Sequence, residues 1–323
     1  MNQPYKDARM SALPSPASTT VACDLCKATE NRVLYTNADW KLPGLDAFAL
    51  VQCTQCGLIY LNPRPTPQAI GAFYPQDYAP FRPAIEDEPR ALMRWMRRRK
   101  VARLRKAVER HTGLTQGRIL DVGCATGIFL HEMAQAGWDA RGVELTTSAA
   151  RYARERFGLE VYEGQLEEAP YAEGTFDAIT FWDVLEHTFS PRRTLERSAA
   201  LLRPGGIVAI NIPNWESYER KLFGAQWIGY DPPRHLYVFP HTALETLLRE
   251  SGFEILSWET PITPYFAFVI SIERWLAVRS PQAGKVISRV LRIPGVRFLF
   301  EPYFAITNRR KRSGIISVFA RKV

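Results

Sequence analysis

The chain has 323 residues, which is enough for one sizeable hydrophobic core and a small additional module. An apolar content of 46% and a charged content of 23% are ordinary for a globular protein and exclude a largely disordered chain. The net charge of +9 is uneven: residues 279–323 hold 11 Lys and Arg against Glu301, a balance of +10, and the remaining residues sum to −1. The basic character therefore belongs to the C-terminal part.

Residues 1–20 are rich in Ser, Pro, Thr and Ala, which predicts a disordered start. They contain no apolar run typical of a signal peptide, so we do not interpret them as a targeting segment. The longest uncharged apolar candidate, 260–272, is interrupted by prolines and ends at Glu273. It falls short of the roughly 20 residues that cross a bilayer. We therefore expect a cytoplasmic protein.

Four of the five cysteines form two C-x-x-C pairs, and a glycine follows the second pair. Backbone N–H groups in such a knuckle turn toward the thiolates, and two knuckles supply the four ligands of a closed, tetrahedral zinc site. Disulfides are the alternative, which the lack of a secretion signal disfavours. We predict a structural zinc ribbon over residues 21–62. Its predicted ligands are Cys23, Cys26, Cys53 and Cys56.

Residues 63–112 are predicted to form a linker followed by a basic helix. The linker is rich in proline and aromatic residues, and residues 90–110 combine apolar side chains at helical spacing with nine basic ones before Glu109. Such a run of charge is usually a solvated helix face, and contact with an acidic partner is the alternative. The sequence does not decide between them.

From residue 113 to 323 the chain alternates short strands and helices, which predicts an α/β fold with a mostly parallel sheet covered on both faces. The predicted strands are 118–122, 138–144, 159–163, 176–182, 207–212, 253–259 and 314–322. The predicted helices are 128–136, 148–157, 192–202 and 241–251.

A turn of small residues follows the first of these strands, and acids stand at the tips of the first two, Asp121 and Glu144. An acid at the second tip is placed to accept both hydroxyls of a ribose. A dinucleotide-binding fold requires glycine at 123, 125 and 128. Here Ala125 and Ile128 stand at two of these positions, and Ile128 would crowd the contact between helix and strand.

Residues 118–130 instead resemble motif I of the class I S-adenosylmethionine (SAM) methyltransferases, with Ala125 in place of the middle glycine. Residues 174–187 resemble the fourth-strand motif of these enzymes, and 201–206 resemble the turn before their fifth strand. The run 231–253 is similar to a further segment of the superfamily. The double C-x-x-C resembles a bacterial subgroup with an N-terminal zinc ribbon, which includes sugar C-methyltransferases.

This resemblance implies a Rossmann-like sheet of seven strands, whose last strand is antiparallel, and a SAM site at the strand tips. Asp121 would contact the amino group of SAM and Glu144 its ribose. Gln165 departs from the Asp that is common at the adenine edge. The complete predicted cofactor set is Asp121, Gly123, Cys124, Ala125, Gly127, Glu144, Leu145, Gln165, Leu166, Trp182 and Asp183.

Methyl transfer from a sulfonium depends largely on positioning, and it needs a general base only where the acceptor must lose a proton. The candidates near the expected pocket are His187, His235 and Tyr237. For the two histidines, a packing or loop-fixing role is the alternative.

The segment of about 261–313 is expected to be a helical insertion before the last strand. Its mixture of apolar and basic residues predicts a cap over the active site, and contact with a membrane surface is the second interpretation. Nucleic acid ranks lowest, because no known binding motif accompanies the basic cluster 309–312.

We therefore predict a SAM-dependent methyltransferase with a structural zinc ion, acting on a small-molecule or carrier-linked acceptor. The subgroup resemblance suggests a sugar nucleotide or a cell-envelope polysaccharide precursor. The main alternative is a methyltransferase-like protein that binds a partner without turnover. A lipid, quinone or nucleic-acid methyltransferase and an NAD-dependent oxidoreductase rank below it.

Overall fold

The computed structural model describes residues 17–40, 47–74, 83–260, 264–293 and 295–323. The strands are β1 Ser18–Thr19, β2 Asn31–Asn37, β3 Phe48–Cys53, β4 Ile59–Leu61, β5 Arg64–Pro65, β6 Arg118–Val122, β7 Asp139–Glu144, β8 Glu160–Glu163, β9 Phe176–Trp182, β10 Leu202–Pro213, β11 Tyr237–Val238, β12 Phe253–Glu259 and β13 Ile315–Lys322. The helices are α1 Ala91–Thr112, α2 Ile128–Gln135, α3 Thr147–Phe157, α4 Pro191–Leu201, α5 Tyr218–Phe223, α6 His241–Glu250, α7 Tyr265–Ala277, α8 Pro281–Leu291 and α9 Glu301–Arg309.

The main sheet has seven strands in the order β12-β13-β10-β9-β6-β7-β8. The pairs from β10 to β8 are parallel, whereas β13 runs antiparallel to both β10 and β12. The predicted seven-stranded sheet with an antiparallel last strand is thus confirmed. Its central strands β6 and β9 are buried over nearly their whole length, as continuous apolar runs in a parallel sheet require.

Helices cover both faces of this sheet, and successive residues of each strand alternate between the two resulting cores. On one face Ile119 and Ala178 pack with Leu104 and Val108 of α1. The opposite face forms the largest core cluster, to which the helix α6 contributes. The basic helix therefore has an apolar stripe against the sheet, with its charged residues outside.

The cysteine-bearing segment forms its own antiparallel sheet, in the order β11-β4-β3-β2. The edge strand β11 comes from the C-terminal half of the chain, where Tyr237 pairs with Tyr60. The carboxylate of Asp24, between the first two cysteines, accepts hydrogen bonds from the Arg192 N–H at the start of α4 and from the Ser190 hydroxyl. Backbone pairing and a helix cap thus join this module to the main domain.

The predicted helical insertion consists of α7, α8 and α9, between β12 and β13. The rings of Phe268 in α7 and Phe304 in α9 lie 5.6 Å apart and pack with Phe223, Trp227 and Tyr230 of the preceding segment. Within the described ranges, no helix has both the length and the apolar character needed to cross a membrane. Of the predicted disordered start, residues 1–16 lie outside the described residues, and Ser18–Thr19 pair with Arg64–Pro65.

Candidate functional site

Two carboxylates lie at neighbouring strand tips of the main sheet. Asp121 of β6 is 3% exposed, and the Thr180 hydroxyl of β9 donates to it at 2.6 Å. Burial raises the pKa of Asp121 to about 8, against the opposing hydrogen bond from Thr180 and with a further contribution from the charge of Glu144. A buried carboxylate of this kind is suited to a cationic partner.

Glu144 ends β7 and holds the turn that follows β6. One oxygen accepts the N–H of Ala125 at 2.9 Å, and the other accepts the N–H of Thr146 at 2.8 Å. An ionised carboxylate has about four lone-pair positions, so two remain for further donors. The side chain is thereby fixed in orientation before any ligand binds.

The turn itself uses its N–H groups internally. The N–H groups of Gly123 and Cys124 both donate to the Val143 carbonyl, that of Ala125 to Glu144, and that of Gly127 to the Cys124 carbonyl. A dinucleotide site needs such N–H groups for the pyrophosphate. Their use within the turn argues against an anion cradle here.

Two glycines of the turn have a steric reason within the fold. Gly123 and Gly127 have φ values of +68° and +78°. A Cβ at Gly127 would lie 2.7 Å from Leu159 Cδ1, so this glycine allows helix and strand to pack closely. Ala125 adopts φ +50°, a left-handed conformation that is strained for alanine.

The remaining predicted cofactor residues divide into exposed and buried ones. Leu145 is 69% exposed beside Glu144, and Gln165 is also exposed, so both side chains are accessible to an adenine ring. Leu166 is buried in the core, and the thiol of Cys124 fills the space against Gly142. Leu166 and Cys124 therefore have packing roles for their side chains.

Trp182 ends β9, and Asp183 follows it. The Trp182 ring packs edge-to-face on Phe129 at 5.3 Å. Asp183 is accessible, has φ +61°, and accepts a hydrogen bond from Asn211 Nδ2 at 2.5 Å. The loss of hydration around its carboxylate raises the pKa of Asp183, while the charges of Lys100 and His235 and the hydrogen bond from Asn211 oppose the shift. A Ser317 hydroxyl that donates to Asn211 Oδ1 fixes the amide in the orientation that serves Asp183.

The structure brings the two candidate histidines together just beyond this strand. The rings of His187 and His235 lie 4.7 Å apart at 83°. Burial, followed by the neighbouring His235, lowers the pKa of His187 to about 3, and burial also lowers the pKa of His235. Both imidazoles are therefore neutral at pH 7. A group with so low a pKa accepts a hydrogen bond but is a poor general base.

A buried arginine that the sequence did not reveal supports this histidine pair. Arg234 is fully buried and makes hydrogen bonds of 2.8 Å to both oxygens of Asp39 and of Asp231, and one of 3.0 Å to the Phe73 carbonyl. Its own carbonyl accepts from His187 Nδ1 at 2.8 Å. The run 231–235, D-P-P-R-H, contains Arg234 and its partner Asp231, but its other acidic partner, Asp39, lies 195 positions away.

Tyr237 lies apart from this group, in the joint between the two sheets. Its ring is buried, Arg64 donates to its hydroxyl at 2.9 Å, and the hydroxyl donates to the Phe189 carbonyl at 3.2 Å. Burial raises its pKa far beyond the physiological range. These bonds occupy the hydroxyl, and we assign Tyr237 no part in the chemistry.

The four predicted metal ligands converge in the N-terminal module. Their sulfur atoms all lie within 4.8 Å of one another, with 3.4 Å between Cys23 and Cys56 and between Cys26 and Cys53. Four sulfurs at ~2.3 Å from a tetrahedral ion are about 3.8 Å apart, so the cluster fits zinc. Burial tends to raise the pKa of Cys53, but N–H donors from Cys56 and Gln55 prevail and lower it.

A small cavity connects this module to the histidine pair. Aromatic and apolar residues of the ribbon form one wall, and His235 lies at the other side. The lining residues are Tyr35, Asn37, Phe48, Leu50, Leu61, Tyr230, Pro232 and His235.

A family model described as a methyltransferase domain matches residues 92–257, more than half of the chain. The chain belongs to this family. It is a SAM-dependent methyltransferase with the class I fold, as predicted, and the oxidoreductase alternative is wrong. The match includes α1, the predicted basic helix.

Known methyltransferases resemble this one over part of its length. The ubiquinone biosynthesis O-methyltransferase of Aromatoleum aromaticum is 33% identical over 159 residues, which cover 46% of this chain and 68% of the relative. That of Methylococcus capsulatus is 29% identical over 196 residues, 55% of this chain and 82% of the relative. A solved SAM-dependent methyltransferase from Archaeoglobus fulgidus has a TM-score of 0.45 and 18% identity, covering 70% of this chain and 94% of that one.

Proposed function

We propose that this methyltransferase transfers the methyl group to an oxygen atom of a small-molecule or carrier-linked acceptor. The observation that carries the proposal is the pair of neutral imidazoles just beyond β9, which can accept a hydrogen bond from an acceptor hydroxyl without competing positive charge. The relatives named O-methyltransferases support the choice of oxygen.

We propose that SAM lies across the tips of β6 and β7. The residues fit: the buried Asp121 carboxylate suits the amino group, Glu144 retains lone pairs for the ribose hydroxyls, and exposed Leu145 offers an apolar surface to adenine. Bound there, SAM supplies a methyl group on a positively charged sulfur. His187 and His235 orient the acceptor hydroxyl, and Asn211 keeps Asp183 in place beside it.

We propose that the ribbon helps to position the histidine pair, since His235 and ribbon side chains line one cavity of about 10 Å³. This space has room for a water molecule at most and is not itself an acceptor site. We propose that the cysteine cluster holds a structural Zn²⁺, because all four ligands come from the chain and no position remains for water. The zinc would then act on catalysis by fixing the wall formed by β2 and β3.

We propose further that the insertion touches an anionic membrane surface, which would bring a lipid-carrier-linked acceptor within reach. Apolar residues of α8 and the following turn are exposed, with Leu299 at 78%, and basic residues lie among them. The exposed apolar set is Val286, Ile287, Val290, Ile293, Phe298 and Leu299. Sedimentation with anionic vesicles, against none with neutral vesicles, would support this; equal recovery would contradict it.

Methyl-labelled SAM tests the reaction. The protein is incubated with carbon-13-methyl SAM and either a sugar nucleotide or a hydroxylated polyprenyl phenol, and the carbon-13 shift of the product identifies O-, N- or C-methylation. An O-methyl signal supports the proposal. An N- or C-methyl signal contradicts it, and SAM binding with no transfer to any acceptor favours the binding-protein alternative.

A further inference from the structure

Three side chains just beyond β9 form a group of potential metal ligands distinct from the cysteine cluster. Glu186, His187 and His235 each offer one ligand atom, and these atoms lie within 4.8 Å of one another. The two chain segments are joined directly, because the N–H of Leu236 donates to the main-chain carbonyl of Glu186 at 2.8 Å. The group is thus held by backbone pairing.

Each imidazole is fixed through the same ring atom. His187 Nδ1 lies 2.8 Å from the Arg234 carbonyl, and His235 Nδ1 lies 3.0 Å from the Gly229 carbonyl. A carbonyl can only accept, so both Nδ1 atoms carry the proton and both Nε2 atoms retain a lone pair. Metal-binding histidines are oriented in this way by carbonyl acceptors.

Glu186 supplies an independent observation. It is 1% exposed, and within the described part of the chain neither of its carboxylate oxygens has a hydrogen-bond donor. A buried carboxylate without a partner costs several kcal/mol when ionised, unless a cation offsets the charge. Asp183 adds a second carboxylate nearby, which increases the need for positive charge.

We propose that Glu186, His187 and His235 form a binding site for a divalent transition-metal cation. Two imidazoles and one carboxylate suit such ions and leave coordination positions open for substrate. The inference rests on the proposed transfer to oxygen: the imidazoles would orient the acceptor through the cation, which would hold the acceptor oxygen and lower the pKa of its hydroxyl. The hydroxyl proton then goes to solvent, an O–CH₃ bond forms, and the CH₃–S bond breaks with its electron pair remaining on sulfur.

The test uses the full-length, zinc-loaded protein and Mn²⁺, an ion that prefers oxygen and nitrogen ligands and so does not compete for the cysteines. Free Mn²⁺ is measured by electron paramagnetic resonance during titration of the wild type, Glu186→Gln and His235→Asn. Glu219→Gln is the matched control, since Glu219 is equally buried but, among the residues that the structure describes, belongs to no such group. Circular dichroism and SAM calorimetry check that each variant folds.

We expect one Mn²⁺ per wild-type chain and per control chain, with affinity more than about tenfold weaker in both site variants while SAM binding remains. Equal Mn²⁺ binding in all four proteins, or none in the wild type, would overturn the site. Methyl transfer that persists with no Mn²⁺ bound also overturns it and leaves the proposed function standing. Specific Mn²⁺ binding without transfer to oxygen would instead uphold the site and refute the function.

Discussion

Replacement of Asp121 by asparagine separates the role of this carboxylate in stability from its role in binding. The side chain is buried, and its Thr180 partner can donate equally well to an asparagine oxygen. The substitution therefore keeps size and hydrogen bond and removes the charge. Burial raises the pKa of the native carboxyl from 3.8 to about 8.

This shift fixes the sign and size of the expected effect. Because the folded pKa exceeds the unfolded one, the SAM-free protein loses stability as pH rises from about 4 to about 8. At pH 7 the unfolded carboxyl is ionised and the folded one largely protonated. At 1.36 kcal/mol per pKa unit, the free energy of unfolding at pH 7 is then lower by about 4 kcal/mol than it is at about pH 4. Asp121→Asn lacks this titration and should exceed the wild type in stability by an amount that grows across that range.

Binding should change in the opposite direction. The cationic amino group of SAM requires the ionised carboxylate, so wild-type affinity should rise with pH up to about 8. Asp121→Asn should lose about 10- to 100-fold, as expected for a hydrogen bond to a charged group worth 1.5–3 kcal/mol. Stability would be gained and affinity lost at the same residue.

Urea denaturation at about pH 5, 7 and 9 measures the first effect, and calorimetry with SAM the second. Asp139→Asn is the control, because Asp139 is an exposed carboxylate at the opposite end of β7. A stability difference that stays constant with pH, or unchanged SAM affinity in Asp121→Asn, would refute the reasoning.

Four further substitutions have defined outcomes. Ala125→Gly should raise the free energy of unfolding by about 1 kcal/mol by relieving the left-handed alanine, and a loss in denaturant melts would contradict this. Glu144→Gln should weaken SAM binding about tenfold or more in calorimetry, since the glutamine amide has one accepting oxygen where the carboxylate has two. Equal affinity counts against the assignment. Cys53→Ser should lower zinc content by metal analysis together with the melting temperature; full zinc occupancy would exclude Cys53 as a ligand. Arg234→Lys should lower the free energy of unfolding by about 3–5 kcal/mol in denaturant melts. An unfolding free energy equal to that of the wild type within error would mean that the buried ion pairs contribute little.

The sequence predicted the sheet well because its strands are short apolar runs bounded by turn residues. The predicted strands 118–122, 176–182 and 253–259 coincide with β6, β9 and β12. Local signals sufficed there: each segment is mainly apolar and is preceded within two positions by a glycine, namely Gly117, Gly174 and Gly252.

Steric detail at the turn was less predictable. Gly127 belongs to the predicted cofactor set, and nothing in the sequence indicated that its missing Cβ also allows contact with Leu159, 32 positions along the chain. The position of Tyr237 was likewise assigned from its nearness to His235 in sequence. His235 lies outside β11, and the Tyr237 hydroxyl bonds instead to Arg64 and to the Phe189 carbonyl, so nearness in sequence did not place the two side chains in one site.

The acceptor side of the protein depends on contacts between distant segments, and this explains why sequence patterns carried little information about it. Arg234 connects Asp39 of the ribbon, the Phe73 carbonyl of the connecting segment and the His187 ring in one hydrogen-bonded group. Since Arg234 has no exposed surface, its charge can be held only while Asp39 and Asp231 stay in place. The ribbon therefore contributes to the histidine geometry, and a truncated methyltransferase domain that lacked it would leave Arg234 with Asp231 but without Asp39. The histidine geometry thus depends on both modules, whereas Asp121 and Glu144, the proposed SAM ligands, belong to strands of the main sheet alone.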